Sequence, residues 1–243
     1  MYLGDNARAP YGSRSFETVY EYTLQCVRQL FDNGCELVIL ACNTASAKAL
    51  RTIQQKDLSL IDSKKRVLGV IRPTTEIIGN YTKTNHVGIF ATSGTVSSQS
   101  YVIEIEKFYP NIKVFQEACP MWVPLIENNE LSGAGADYFV KKHIDHLFLQ
   151  SPHIDTIILG CTHYPLLKSL IEKYLPKEVT LLTQGHVVAD GLKDYIMRHP
   201  EMETLISKTG SVQFLTTDSA ELFDKQASLF FGKDIQSKHL SLK

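Results

Sequence analysis

The sequence has 243 residues, 44% apolar and 21% charged, with a formal net charge of −1, a size that suits one large or two small globular domains. No basic run with interleaved aromatics suits a nucleic-acid backbone, and no charge block reads as a tail. No apolar stretch nears the roughly 18 residues of a membrane span, and Met1 to Asp5 lack the basic start and long apolar run of a secretion signal. The expectation is a cytoplasmic protein with neither a membrane nor a nucleic-acid partner.

Along the chain, Tyr2 and Leu3 form a short apolar start, followed by a Gly- and Pro-bearing loop from Gly4 to Ser13. Ser15 can cap a helix through SFETVYEYTLQCVRQLFDNG, in which Phe16, Val19, Tyr20, Thr23, Val27, Leu30 and Phe31 fall near one face and Gly34 can end the run. ELVILA (36–41) reads as a buried strand, with an Ala-rich helix from Asn43. Further strands are predicted at 67–71, 86–91, 112–116, 154–159, 179–182 and 212–215, with helical patterns between most of them. This alternation predicts an α/β fold with parallel sheets flanked by helices. No linker divides the chain, but 72–178 reads as a self-contained βα set. Two lobes are therefore expected, one from 1–71 with 179–243 and a second, 72–178, inserted into it.

There are five cysteines, Cys26, Cys35, Cys42, Cys119 and Cys161. An odd count without a secretion signal argues against a disulfide framework, and without C-x-x-C neither a zinc knuckle nor a thioredoxin-type pair is indicated. His143 and His146 have the i, i+3 spacing that can hold a metal, but KKHIDHLF reads as a solvated helix face, so no metal site is expected.

One internal echo bears on chemistry. LVILACNTASAKAL and TIILGCTHYPLLKSL share an apolar strand, a small residue, a cysteine, two polar residues and a helix start. Ligands of open α/β sheets bind beyond the carboxyl ends of strands, where Cys42 and Cys161 both fall. Each also opens a helix, whose free amides favour negative charge, so both thiols are expected below their usual pKa of about 8.5. One such cysteine is more simply a small buried residue; two in matched contexts point to catalysis. A third turn, Thr92, Ser93, Gly94, Thr95, Ser97 and Ser98 after HVGIFA, offers hydroxyls and amides for an anion, or merely a capped helix. The loop DNARAPYGSRS presents Arg8, Pro10, Tyr11, Gly12 and Arg14. Two thiols on opposite faces of one carbon suit inversion of a stereocentre beside a carboxylate: one removes the α-proton and the other delivers a proton from the far side. Donors around the carboxylate would offset the charge that builds in the transition state. That reaction needs neither metal nor pyridoxal cofactor, and no cofactor is expected.

At these residues the chain resembles bacterial glutamate racemases of the aspartate/glutamate racemase superfamily. YLGDNARAPYG is similar to the family's Y-x-G-D…P-Y-G loop, ACNTAS and GCTHYPL to its two catalytic-cysteine motifs, and CPMWVPLIE and FLTTDSAELFDKQASLFFG to further family segments. The resemblance covers nearly the whole sequence. It implies two similar α/β lobes with the active site between them and cofactor-independent interconversion of L- and D-glutamate, which supplies D-glutamate for peptidoglycan, cell-wall biogenesis and cell shape. It implies Cys42 and Cys161 as the acid–base pair and Pro10, Tyr11 and Gly12 as pocket lining. Asn43, Thr44, Thr92, Thr95, Thr162 and His163 would bind substrate, and Glu127 would be an accessory group near the second cysteine. A homodimer is one open assembly.

The family pattern begins with a strand and an Asp-Ser-Gly-x-Gly-Gly loop ahead of Y-x-G-D, whereas this sequence starts at Met1-Tyr2-Leu3-Gly4-Asp5. The expectation is a chain lacking that strand–helix unit and weakly active as written. A lesser departure is LLTQGHVVAD, where the family usually has Asp-Ser before the glycine. Alternatives are a racemase for aspartate or another amino acid of the superfamily, an inactive truncated paralogue, or an amidase or transferase using one thiol with His163 as base.

Overall fold

The structure, a computed structural model, describes residues 1–242. β1 (Tyr2–Gly4) leads through a short 3-10 turn to α1 (Phe16–Asp32). Helix α1 starts where the Ser15 hydroxyl accepts the Thr18 amide at 3.1 Å, satisfying a donor that the first turn leaves free. Val19, Thr23, Val27 and Phe31 recur every fourth residue and are its buried stripe, and the positive φ of Gly34 (84°) turns the chain away. Phe16, in the first turn, is instead exposed.

β2 (Leu37–Leu40) runs into α2 (Asn43–Lys48). α3 (Leu50–Thr52), a π turn (Ile53–Asp57) and α4 (Leu58–Ile61) return the chain to β3 (Arg66–Gly69). α5 (Ile71–Ile77), β4 (His86–Ala91), α6 (Ser93–Ser97), α7 (Ser100–Phe108), β5 (Lys113–Ala118), α8 (Trp122–Glu127), α9 (Ala134–Gln150), β6 (Thr156–Gly160), α10 (Lys168–Tyr174) and β7 (Thr180–Leu182) follow. The chain closes with α11 (Gly185–Arg198), α12 (Pro200–Leu205), β8 (Phe214–Thr216), α13 (Ala220–Phe231) and β9 (Ser237–His239).

Every strand pair is parallel, as the βα alternation predicts. The sheets are β5-β4-β6-β7, β2-β3 and β1-β8-β9. The four-stranded sheet is covered on both faces, which explains why its central strands read as continuous apolar runs. Along β4 and β6 the side chains alternate between two cores. Phe90, Ile157 and Leu159 pack with Trp122, Val140, Leu147 and Ile171 on one face. Val87, Ile89 and Ile158 pack with Ile78, Tyr101 and Ile105 on the other. A third core, Val27, Phe31, Val38, Ile53 and Val67, fastens α1 to β2 and β3.

The pairing differs from the sequence reading at one strand. Thr180–Leu182, expected on the far side of a boundary after residue 178, pairs with β6 and completes the four-stranded sheet. Apolar periodicity marks a strand without marking its partner. β9 was not foreseen, because Ser237–His239 is polar and joins its sheet only through its backbone, alongside β8. Among the described residues no helix is long and apolar enough to cross a membrane.

Candidate active site

Cys42 lies two residues beyond β2 and caps α2; Cys161 directly follows β6. Both strands are parallel members of their sheets, so both thiols leave the carboxyl edge of a strand, as expected from sequence. Cys161 is buried and Cys42 half-buried. The thiols are near enough that charge on Cys42 opposes ionisation of Cys161.

The expectation of lowered thiol pKa values is overturned. Burial pushes Cys42 upward despite the amides of Ala45 and Thr44 and the Thr44 hydroxyl around its sulfur. Burial pushes Cys161 up to about 12, against the opposing amides of His163 and Tyr164. Helix-start amides favour the thiolate, but here they serve short elements, and loss of water from the sulfur outweighs them.

On the Cys161 side, a row of polar groups leads away from the thiol. Sγ stands 3.9 Å from His163 Nδ1, and His163 Nε2 is 2.5 Å from Glu127 Oε1. The hydrogen bond from His163 holds the Glu127 carboxyl below its ordinary range. The other oxygen of Glu127 accepts the side-chain amide of Gln226 on α13, so the C-terminal helix closes over this end of the row.

On the Cys42 side, three hydroxyls meet between α2 and α6. Thr44 Oγ1 is 2.9 Å from Thr92 Oγ1 and 3.3 Å from Thr95 Oγ1, and Thr92 caps α6 by accepting the Thr95 amide. The three threonines are buried. The loop of Tyr11 and Gly12 lies against this cluster, with the Gly12 carbonyl accepting the Gly94 amide at 2.8 Å. A Cβ on Gly12 would come within 2.9 Å of Thr92 Cβ and Cγ2, so only glycine allows that approach. Tyr11 is fixed from behind by a hydrogen bond from its hydroxyl to Asp5, a carboxylate that also receives Arg8 (2.8 Å) and Thr217 (2.9 Å).

Asn43 is buried in a network that sequence reasoning missed. Its Nδ2 donates to Gln184 Oε1 at 2.9 Å, and its Oδ1 accepts the Tyr101 hydroxyl at 2.7 Å. Gln184 Nε2 in turn faces Tyr101 (2.9 Å), Thr74 (3.1 Å) and the Val70 carbonyl (3.1 Å). The sequence did carry one signal: Gln184 is one of the two residues, Thr183-Gln184, at which LLTQGHVVAD departs from the family's Asp-Ser before the glycine. Pro10 and Thr162 lie on the exposed surface of their turns. His143, expected on a solvated face, is buried (6% exposed) with its ring against Glu117, because α9 lies across β5 with that face inward.

The profile of the Asp/Glu/Hydantoin racemase family matches residues 1–189. The chain belongs to this family. Among its relatives, a glutamate racemase of Roseobacter denitrificans is 40% identical over 97% of this chain and 88% of its own length. Another, from Persephonella marina, is 36% identical over 99% of this chain and 86% of its own length. The solved glutamate racemase RacE1 of Bacillus anthracis superposes with a TM-score of 0.87 at 31% identity, over 99% of this chain and 87% of its own. That of Francisella tularensis, solved with D-glutamate, gives 0.86 at 31% identity over 100% and 87%. The resemblance carried by the cysteine motifs is thus borne out. Membership in this racemase family makes the chain an isomerase acting on a small molecule.

Proposed function

We propose that this protein interconverts L- and D-glutamate by a cofactor-independent two-base mechanism, with Cys42 and Cys161 as the proton-transfer groups. The observation that carries this reading is the pair of thiols at the carboxyl edges of two sheets, electrostatically within reach of each other. The names of the most similar relatives support glutamate as the substrate.

The α-proton is held by the bond to carbon and needs a strong base. A thiol whose pKa is raised gives, once ionised, a more basic thiolate than an ordinary cysteine. With the substrate's α-carbon between the two sulfurs, its ammonium group beside them favours the ionised form that burial opposes. One thiolate then takes the α-proton while the opposite thiol gives its own to the other face, and the roles exchange in the reverse direction. Thr44, Thr92 and Thr95 offer clustered hydroxyls for the substrate carboxylate, where they offset negative charge as it spreads from the α-carbon. Asn43, Thr162 and His163 complete the binding set, and Pro10, Tyr11 and Gly12 line the pocket, with Gly12 seated against Thr92. Glu127 holds the His163 ring in place at the Cys161 end. In a bacterial cytoplasm this activity supplies D-glutamate for peptidoglycan.

The experiment is racemisation of L-glutamate in deuterated water. D-glutamate formed at early times should carry deuterium at the α-carbon, with no requirement for added pyridoxal phosphate or metal. D-glutamate that keeps its original α-hydrogen rules out the two-base scheme, and faster turnover of aspartate than of glutamate overturns the substrate assignment. A second reading rests on the Cys161–His163–Glu127 row, which has the order of a nucleophile, a base and an orienting carboxylate. A covalent acyl-enzyme trapped during turnover would favour it.

A further inference from the structure

Outside the cysteine site, one cluster of metal-ligating side chains is left without a role in the reaction. Glu117 lies on β5, the edge strand of the four-stranded sheet, and His143 and His146 lie one turn apart on α9. Their ligand atoms all fall within 4.8 Å of one another. His143 Nδ1 is 2.6 Å and His146 Nδ1 3.3 Å from the same oxygen, Glu117 Oε1. We infer that Glu117, His143 and His146 form a binding site for a divalent transition-metal ion, zinc being the ion best matched.

The chemistry of the set supports zinc. Two imidazoles and one carboxylate suit this ion, while magnesium and calcium prefer all-oxygen sites. In a tetrahedral zinc site the ligand atoms stand roughly 3.4 Å apart, given bonds of about 2.0–2.2 Å. The His146–Glu117 separation already matches, and the His143–Glu117 contact has to open by less than about 1 Å. The site is also held firmly. His143 and Glu117 are mostly buried, with side-chain exposures of 7% and 15%, and the Trp122 and His143 rings meet in a T-shaped contact with centroids 6.0 Å apart. His146 is half exposed at 47%, which leaves a solvent side where water can complete the coordination. The nearby Lys141 is paired with Asp145 at 2.5 Å, so its charge is offset beside the entry.

A bound ion would pin α9 to the edge strand, away from the turn that carries Cys161. The expected consequence is stability rather than catalysis.

The test must keep zinc off the catalytic thiols, so the titration uses a Cys42→Ala/Cys161→Ala background. Calorimetric titration with Zn²⁺ should show one saturable equivalent, and the melting temperature should rise with it. Adding His146→Ala, a half-exposed position whose loss leaves the fold intact, should remove that equivalent and the rise in melting temperature. Mg²⁺ should produce neither. Co²⁺ in place of zinc should give a visible absorption band that His146→Ala abolishes. Zinc uptake and stabilisation that are the same with and without His146, or no zinc binding in the Cys42→Ala/Cys161→Ala background, overturns the assignment.

Discussion

At the residue scale the two strand-end thiols, Cys42 and Cys161, have one physical signature: both are driven toward the neutral form by burial. Under the proposed two-base scheme each serves a different face of the substrate, so Cys42→Ala and Cys161→Ala should each lower net racemisation by about 10²–10⁴-fold or more, the usual weight of a positioned acid or base. Cys26→Ala and Cys35→Ala should be nearly silent, since Cys26 lies within α1 beneath Arg8 and Cys35 just after its end. Substantial turnover by the Cys42 or the Cys161 variant removes that cysteine from the proposed mechanism. The same burial has a pH consequence. The folded Cys161 keeps its proton up to about 12 while the unfolded thiol loses it near the ordinary thiol value of 9.0, so the folded state binds more protons in that window. Its contribution to stability is therefore full below about pH 9 and falls as pH rises toward about 12. Other buried groups, Tyr101 among them, titrate in the same direction. The informative quantity is the difference between the native chain and Cys161→Ala in urea unfolding at neutral and alkaline pH. The native chain should lose more stability on the alkaline side; equal losses mean that Cys161 is not held neutral by the fold.

At the scale of elements, what positions the site is the close seating of the Tyr11–Gly12 loop on the start of α6. Gly12→Ala places a Cβ within 2.9 Å of Thr92, at a point where the Gly12 carbonyl is also tied to the Gly94 amide. Overpacking of this kind costs about 1–3 kcal/mol, and each 1.4 kcal/mol in the transition state is a factor of about ten in rate. The variant should lose about tenfold or more in kcat/KM, and its melting temperature should fall by a few degrees, about 2–4 °C per kcal/mol of strain for a chain of this size. Thr92→Ser in the same chain removes the Cγ2 contact but keeps the capping hydroxyl, and should recover part of the loss. A kinetically silent Gly12→Ala would show that the loop does not shape the pocket. The elements themselves were largely legible in the sequence: ELVILA, HVGIFA and TIILG are apolar runs because both faces of parallel strands are covered. The cysteine turns were legible because strand, cysteine and polar pair repeat. The thiol pKa values were not, since helix-start amides can be read from sequence and the depth of burial cannot. Nor was the inward turn of His143, whose partner Glu117 is 26 residues away on another element.

At the scale of the whole molecule, the chain passes from β3 to the four-stranded sheet at Val70–Thr74 and leaves it through Gln184 after β7. One buried network joins both passages. Gln184 meets the Val70 carbonyl, Thr74, Tyr101 on α7 and, 141 residues away in sequence, Asn43 at the start of α2. Sequence periodicity carries no trace of such long-range polar contacts, which is why the sequence offers Asn43 only as a polar neighbour of Cys42 for a thiolate or a substrate carboxylate. Its side-chain amide and carbonyl are both engaged here, so it serves as a joint beside Cys42. Gln184→Leu, close in volume, would leave the Asn43 amide, the Val70 carbonyl and the Tyr101 hydroxyl short of partners at once. Each such group costs about 1–3 kcal/mol, and domains are only about 5–15 kcal/mol stable. The variant should therefore lose a large fraction of its unfolding free energy in urea. The test of linkage is a double-mutant cycle with Tyr101→Phe, which removes the one hydroxyl shared by Asn43 and Gln184. If the network acts as a unit, the second substitution should cost much less in the Gln184→Leu chain than alone, because the hydroxyl has already lost one of its two contacts. Additive losses would mean that the two residues stabilise the passages separately, and a stable Gln184→Leu would mean that packing alone holds the sheets together.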